Sequence, residues 1–172
     1  MDYRIERIGP ADWERMREVR LAQLLDTPMA FLETHETALA HGEEEWRSRV
    51  RKVNEPGAVG LVAVTGTPGE WIGTMIGRTP EPGTAMLAGV WVAPEHRGRE
   101  RGVTDRLLDA VVAWARDQAG ARRLVLTVHE DNARAAGFYR RRGFDFTGAT
   151  KAYPLDPAAR ELEMALPLDR SA

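Results

Sequence analysis

The sequence predicts a single domain of the mixed α/β or α+β class, spanning residues 1–172. Its length, with 43% hydrophobic and 29% charged residues, is typical of one soluble globular domain that buries a substantial core. Strand-like and helix-like patterns follow each other in the order β-α-α-β-β-β-α-β-α-β-β. Because hairpin strands lead into a β-α-β unit, we expect antiparallel and parallel neighbours in one mixed sheet.

The individual elements are predicted from hydrophobic period and turn chemistry. Asp12, in the first turn of the first helix, suits the helix dipole. The turns "TGTPGE" and "TPEPG" join three strands into consecutive hairpins, and Gly143 is expected to end the last helix. Residues 27–42 show no period that predicts an element. Strands are predicted at 2–8, 57–64, 70–78, 84–92, 122–130, 144–147 and 161–166, and helices at 10–25, 43–53, 104–118 and 132–142.

Composition and charge exclude several classes of function. The net charge of −2 and the pI of 6.1 give no global positive field, so neither nucleic acid nor a membrane surface is an expected partner. The absence of cysteine excludes disulfides, thiolate metal sites and a cysteine nucleophile, and no metal is expected. The N-terminus lacks an apolar signal region and no apolar run reaches a membrane-spanning length, so a cytoplasmic location is expected.

One stretch, "VAPEHRGRERGVTDRLLDAV" at residues 92–111, predicts an anion site. A strand ends there in a loop rich in arginine and glycine, and the loop leads directly into an amphipathic helix. The free N–H groups and the positive dipole end of that helix point outward from the carboxyl edge of the sheet. Glycine in the loop lets the backbone approach a phosphate closely.

A second stretch, "LTVHEDNARAAGFYRRRGF", follows at the separation typical of a known family. Together the two stretches, within residues 84–147, resemble the GNAT superfamily of acetyl-CoA-dependent N-acetyltransferases, whose loop is written Q/R-x-x-G-x-G/A. The resemblance implies the GNAT fold, a mixed and mostly antiparallel sheet of six to seven strands flanked by about four helices. It also implies acetyl-CoA as co-substrate.

The resemblance assigns cofactor contacts to the loop and to the strand before it. Read from Arg99, the loop fits the family pattern except that Thr104 replaces a second Gly or Ala; read from Arg97, it needs two extra residues. We favour the two-residue expansion, in which Glu100 faces water. The backbone of Val90 and Val92 would hold the pantetheine amides as an added strand does. The expected contacts are Val90, Trp91, Val92, Arg97, Gly98, Arg99, Gly102, Val103 and Thr104.

Asn132 and Tyr139 lie seven residues apart, so they share a helix face and are about 10 Å apart along the axis. By resemblance, Asn132 binds the pantetheine arm and Tyr139 donates a proton to the leaving thiolate. The alternatives are a helix N-cap for Asn132 and a core aromatic for Tyr139. Residues 140–142, three arginines, favour a solvated helix end, with a contact to the CoA 3′-phosphate as the alternative.

The general base is left open by the sequence. Attack on a thioester needs a neutral amine, so some group must accept a proton. The strand "TAMLAGVWV" carries no carboxylate, and Thr127 stands where ribosomal-protein N-terminal acetyltransferases have a glutamate. His129 and Glu33 are the leading candidates, with His35 and Glu36 behind them.

The predicted function is transfer of acetyl from acetyl-CoA to a primary amine by direct attack. Two alternatives are a CoA-binding or sensing module without turnover and a nucleotide-phosphate binder, the latter disfavoured because no Walker-type motif is present. The acceptor stays open among polyamines, amino acids, aminoglycoside-like antibiotics and protein or peptide amines. Residues 27–45 and 150–158 are expected to be the loops that shape its cleft, and a homodimer is left open.

Overall fold

The computed structural model describes residues 2–66 and 69–168. Within them lie seven strands and five α-helices, with short 3-10 turns at Pro28–Ala30 and Pro94–His96. The order along the chain is β1 (Tyr3–Arg7), α1 (Trp13–Asp26), α2 (His35–Ala40), α3 (Glu43–Val53), β2 (Ala58–Thr65), β3 (Glu70–Glu81), β4 (Thr84–Val92), α4 (Val103–Asp117), β5 (Arg123–His129), α5 (Ala133–Arg141), β6 (Asp145–Tyr153) and β7 (Asp156–Pro167).

The described strands form one sheet in the order β1-β2-β3-β4-β5-β7-β6. All neighbours are antiparallel except β4 and β5, which are parallel and are joined by α4 as the crossover helix. This parallel pair is short, because only residues 84–86 of β4 face residues 123–125 of β5. Beyond them the two strands separate, and a cleft opens in the middle of the sheet.

A bulge in β4 directs the strand away from its neighbour. Thr74 pairs with Trp91 but Ile76 pairs with Ala88, so β4 carries one extra residue between these pairs. Gly89 supplies it with a φ of 59°, which glycine adopts without steric cost. The Gly89 carbonyl leaves the ladder and accepts a 2.7 Å hydrogen bond from the Thr74 hydroxyl, which in turn accepts one of 2.8 Å from the buried Gln23 amide.

The two faces of the sheet bury separate cores. The larger core joins α4 and α5 to the sheet and contains Leu107, Leu108, Val111, Leu126, Val128 and Tyr139. The opposite face packs α1 and α3 in one cluster around Val50 and Trp71, and α1, α2 and Trp91 in another around Trp46.

Most predicted elements are confirmed, with differences at their ends. The hairpins β2–β3 and β3–β4 form as predicted, although Thr67 and Pro68 of the first turn lie outside the described residues. The first helix begins at Trp13 rather than residue 10, because the Asp12 carboxylate accepts the Gly9 N–H in a preceding turn. Five helices form rather than about four, since α2 falls in the segment left unassigned.

The prediction of a loop at 150–158 was wrong. The last two strands are longer than predicted and form a hairpin that reaches residues 153 and 156. Eight of the nine β6 residues are exposed, so this edge strand lacks the alternation of apolar residues from which a strand is recognised. Gly143, with a φ of 89°, ends α5 as expected.

Candidate active site

The cleft between β4 and β5 encloses about 480 Å³. It is lined by both strands beyond their last pair, by the loop before α4 and by the inner side of α5. The residues predicted to contact the cofactor are nearly all in its wall, which includes Val90, Trp91, Val92, Arg97, Gly98, Arg99, Thr104, Asn132 and Tyr139. Gly102 and Val103 complete the adjoining loop and helix start.

The loop before α4 presents unpaired backbone donors. Gly98 and Gly102 both have positive φ, at 113° and 63°, and the Gly98 carbonyl accepts the N–H groups of Arg101 and Gly102. This turn leaves the N–H groups of Val103, Thr104 and Asp105 without an acceptor among the described residues. Three free donors at the positive end of a 15-residue helix make a site for a phosphate group.

Arg97 has a different environment from the one that the sequence suggested. Its Nε donates to the Val92 carbonyl over 2.7 Å, and its guanidinium forms an ion pair with Asp26 at the end of α1. Asp26 also accepts the Trp91 indole N–H over 2.9 Å. The hydrogen bonds from Arg97, Thr27 and Trp91 outweigh desolvation and lower the pKa of Asp26. Arg97 thus joins α1 to the end of β4, so less of its charge is available to a phosphate.

Other arginines give the rim of the cleft its positive charge. Arg99 and Arg134 form no ion pair with a described residue. Arg142 instead binds Asp105 and Asp109 of α4, and Arg141 donates to the Gly137 carbonyl. The predicted solvated helix end is therefore partly an interhelical ion pair, and Arg99 and Arg134 are the cations best placed for an anionic ligand.

Asn132 and Tyr139 both face the cleft from α5. The Asn132 side chain accepts the Ala135 N–H over 3.1 Å, so it is the N-cap of α5, and its amide N–H groups stay available to a ligand. The Tyr139 ring is buried beside Phe138 and Phe144, and its hydroxyl has no hydrogen-bond partner among the described residues. Burial raises the pKa of this phenol well above its usual value, so it keeps its proton at any physiological pH.

The opposite side of the cleft is formed by polar side chains of β5 and β7. Thr127 donates its hydroxyl proton to Glu161 over 3.0 Å, and His129 lies opposite Glu161 in the strand register. The His129 ring packs edge-on against Tyr153, whose hydroxyl donates to the Phe31 carbonyl over 2.8 Å. Since Leu126 and Val128 face α4, Thr127 and His129 face the side of α1 and α2.

Glu33 does not line this cleft. Its carboxylate binds Arg49 through two hydrogen bonds of 2.8 and 2.9 Å, accepts one from His41 and lies 3.4 Å from Arg20. These partners outweigh its desolvation and lower its pKa. A carboxylate held by two arginines and a histidine is a weak proton acceptor, so the geometry favours a structural role for Glu33 in joining α1, α2 and α3.

Sequence reasoning missed Glu161 and Asp26. Both stand in sequence patterns that are typical of solvent-exposed charge. Glu161 occupies an alternating polar position of a strand, and Asp26 lies at the end of a helix. Only the pairing of β5 with β7 reveals that Glu161 borders the cleft, and only the packing of α1 on β4 reveals that Asp26 binds Trp91 and Arg97 of its wall. Among the described residues there is no cluster of acidic, histidine or cysteine side chains able to hold a metal ion, and none of the described helices is long and apolar enough to cross a membrane.

The described strands form a mixed sheet that opens between two parallel strands, with free helix N–H groups at the opening. Such an opening suits a ligand that carries a phosphate group. A profile of the acetyltransferase (GNAT) family matches residues 15–144. The chain belongs to this family, as the sequence motifs predicted. A search of curated proteins found no match.

Solved structures agree with this assignment. A proposed acetyltransferase from Salmonella typhimurium, determined with its cofactor acetyl-CoA, is 20% identical, with a TM-score of 0.76 over 100% of this chain and 97% of its own. A ribosomal-protein-alanine N-acetyltransferase from Brucella melitensis is also 20% identical, with a TM-score of 0.77 over 95% and 99% of the two chains. Nourseothricin acetyltransferase reaches 30% identity, with a TM-score of 0.58 over 66% and 67%.

Proposed function

We propose that this protein transfers the acetyl group of acetyl-CoA to a primary amine by direct attack, with Tyr139 as the general acid. The observation that carries the proposal is the cleft itself, which brings free helix N–H groups, the unpaired edge of β4 and a buried phenol together in one space. No cysteine is present to carry the acetyl group, and direct attack needs none.

The residues of the cleft fit acetyl-CoA. The N–H groups of Val103 and Thr104, with Arg99, would receive the pyrophosphate at the start of α4. Backbone groups of Val90 and Val92 face the gap where β4 has left β5, and the Asn132 amide faces it from α5, so the three suit the pantetheine amides. When bound, acetyl-CoA supplies an activated thioester.

Tyr139 is suited to protonate or hydrogen-bond the departing sulfur. An alkyl thiol has a pKa of about 8.5, so at neutral pH the thiolate takes up a proton as it leaves. The raised pKa keeps the Tyr139 hydroxyl protonated at neutral pH, and this hydroxyl makes no hydrogen bond to a described residue. Its raised pKa makes full proton transfer less favourable than from an ordinary phenol, which gives more weight to hydrogen-bond donation in the transition state.

The proposal is tested by acetyl-CoA binding and by amine-dependent release of CoA thiol. We expect acetyl-CoA to raise the melting temperature, with a shift that decreases at high salt. Gly102→Glu should abolish the shift, because it places a carboxylate beside the phosphate site. A panel of polyamines, amino acids, aminoglycosides and peptides, with mass detection of the product, would then identify the acceptor. Binding without turnover of any amine would favour the CoA-sensing alternative, and no binding would refute the proposal.

A cytoplasmic location and a homodimer stay predictions from the sequence.

A further inference from the structure

Glu161 is a buried carboxylate that the motifs of the family do not include. Its side chain is 8% exposed and borders the cleft on β7, opposite His129 of β5. Its Oε1 accepts the Thr127 hydroxyl. Its Oε2 accepts no directed hydrogen bond from a described residue, although the ammonium of Lys151 lies 3.1 Å away in an ion pair. A buried carboxylate oxygen with this environment favours a positively charged ligand.

Lys151 shows what kind of ligand fits. It lies on the edge strand β6 directly across from Glu161, and its side chain is 54% exposed. A largely exposed side chain therefore places a primary ammonium against a buried carboxylate. An external primary ammonium can replace Lys151 there and keep the charge of Glu161 paired, so the exchange leaves no buried charge alone.

His129 is less suited than Glu161 to accept a proton. Its Nδ1 accepts the backbone N–H of Asp131 over 3.2 Å, which requires the lone pair of that nitrogen. The neutral ring therefore carries its proton on Nε2, so the nitrogen that makes no hydrogen bond to a described residue is a donor. Glu161 lines the same cleft and offers a carboxylate oxygen that accepts no directed hydrogen bond from a described residue.

We propose that Glu161 binds the ammonium group of the acceptor and takes its first proton, with Thr127 as a positioning residue, and that Lys151 occupies this ammonium site when no acceptor is bound. The acceptor is then a protonated primary alkylamine. This inference rests on the proposed acetyltransferase function and adds the acceptor class and the base.

The reaction balances with these groups. Glu161 takes one proton from the ammonium, and the neutral nitrogen forms a bond to the thioester carbonyl carbon. As the C–S bond breaks, the sulfur receives a proton from Tyr139, and the second proton lost by nitrogen restores the phenol. Glu161 returns its proton to solvent, so one proton is released for each amide and each CoA thiol formed. Tyr139 belongs to the core on the face of the sheet that packs against α4 and α5. Glu161 accepts a hydrogen bond from Thr127 on the other face, so the two proton transfers take place on opposite sides of the sheet.

The first arm of the test measures turnover of the best amine in the panel. Glu161→Gln keeps the shape and the acceptor oxygen for Thr127 but removes the charge, and we expect kcat/KM for the amine to decrease by about 100-fold or more. The KM for acetyl-CoA should change by less than about three-fold. Glu163→Gln is the matched control: Glu163 lies two residues along the same strand and accepts a threonine hydroxyl in the same way, from Thr147 over 2.9 Å, but does not line the cleft. It should keep the parental rate.

The second arm measures binding without turnover. With CoA present, n-butylammonium chloride, which has the length and charge of the lysine side chain, is titrated into the protein by calorimetry. Lys151→Ala should bind it about 10-fold more tightly than the parent, because the internal competitor is gone. The double variant Lys151→Ala/Glu161→Gln should lose this binding, and n-butanol should not bind either protein. Should Glu161→Gln fail to fold, Glu161→Asp, which withdraws the carboxylate by one methylene, takes its place in both arms.

The two arms separate the two proposals. If an amine is acetylated but Glu161→Gln behaves like Glu163→Gln, the inference is wrong and the acetyltransferase function stands. If no amine is acetylated but n-butylammonium binds in a manner that depends on Glu161, the ammonium site stands and the proposed function is wrong. Equal binding of n-butylammonium with and without the Glu161 charge overturns the inference.

Discussion

Replacement of Tyr139 by phenylalanine separates catalysis from stability. The substitution keeps the ring that packs between Phe138 and Phe144 and removes one hydroxyl. Because that hydroxyl has no partner among the described residues, no intramolecular hydrogen bond is lost. The free energy of unfolding should stay within about 0.5 kcal/mol of the parent or increase by up to about 1 kcal/mol, because a desolvated polar group has been removed.

The effect on catalysis should be much larger. Loss of one acid catalyst lowers kcat by about 100-fold, which is about 2.7 kcal/mol in the transition state. Because burial raises the pKa of Tyr139, its protonation does not change between pH 7 and 9, and the ratio of parental to variant kcat should be constant over that range. The assay is CoA thiol release at saturating amine, with urea unfolding of the same samples. A variant with the parental kcat, or one whose kcat decreases only in proportion to lost stability, would refute the acid role.

Three further predictions follow from the loop, the bulge and the Glu33 cluster. Gly102→Ala should cost about 1 kcal/mol and weaken the acetyl-CoA thermal shift, because φ there is 63°. Gly137→Ala, in the interior of α5 and outside the positive-φ region, should be stabilising, and equal melting temperatures of the two variants would contradict this. Thr74→Val leaves the Gln23 amide and the Gly89 carbonyl without their partner, so denaturant unfolding should show a decrease of about 3 kcal/mol in the free energy of unfolding. The control Thr65→Val should lose less than about 1 kcal/mol. A small loss at position 74 would show that the bulge does not depend on this hydroxyl. The folded-state pKa of Glu33 is lowered from 4.5, so the unfolded state binds its proton at higher pH, and stability should be lost as pH falls below about 4.5. Glu33→Gln should flatten this dependence of stability on pH, and Glu55→Gln, at an exposed position, should not. Equal slopes of stability against pH for the two variants would contradict the structural role of Glu33.

The sequence predicted the parts of the fold that depend on local pattern. Alternation and turn chemistry identified the hairpins of β2, β3 and β4, and the period of 3.6 residues identified α4 with its apolar stripe. The Arg/Gly loop predicted a helix start with free N–H groups because glycine and helix geometry act over a few residues. These features need no knowledge of distant contacts.

Features that depend on tertiary packing could not be predicted. The β6 strand is exposed along most of its length and is held by pairing with β7, so its own side chains carry no strand pattern. Gly77 is glycine because a Cβ there would lie 2.5 Å from the Trp114 ring, a contact between residues far apart in the chain. Glu33 and Glu161 are both glutamates in polar surroundings of the sequence. Only the fold gives Glu33 two arginines and a histidine as partners and gives Glu161 a place in the cleft.

The most direct test is a crystal structure of the protein with CoA and n-butylammonium bound, a pair that cannot react. We expect the pyrophosphate to contact the N–H groups of Val103 and Thr104, and the CoA sulfur to lie within about 3.5 Å of the Tyr139 hydroxyl. The amine nitrogen should lie within about 3 Å of Glu161 on the other side of the sheet. A cofactor bound outside the cleft, or a sulfur far from Tyr139, would contradict the account.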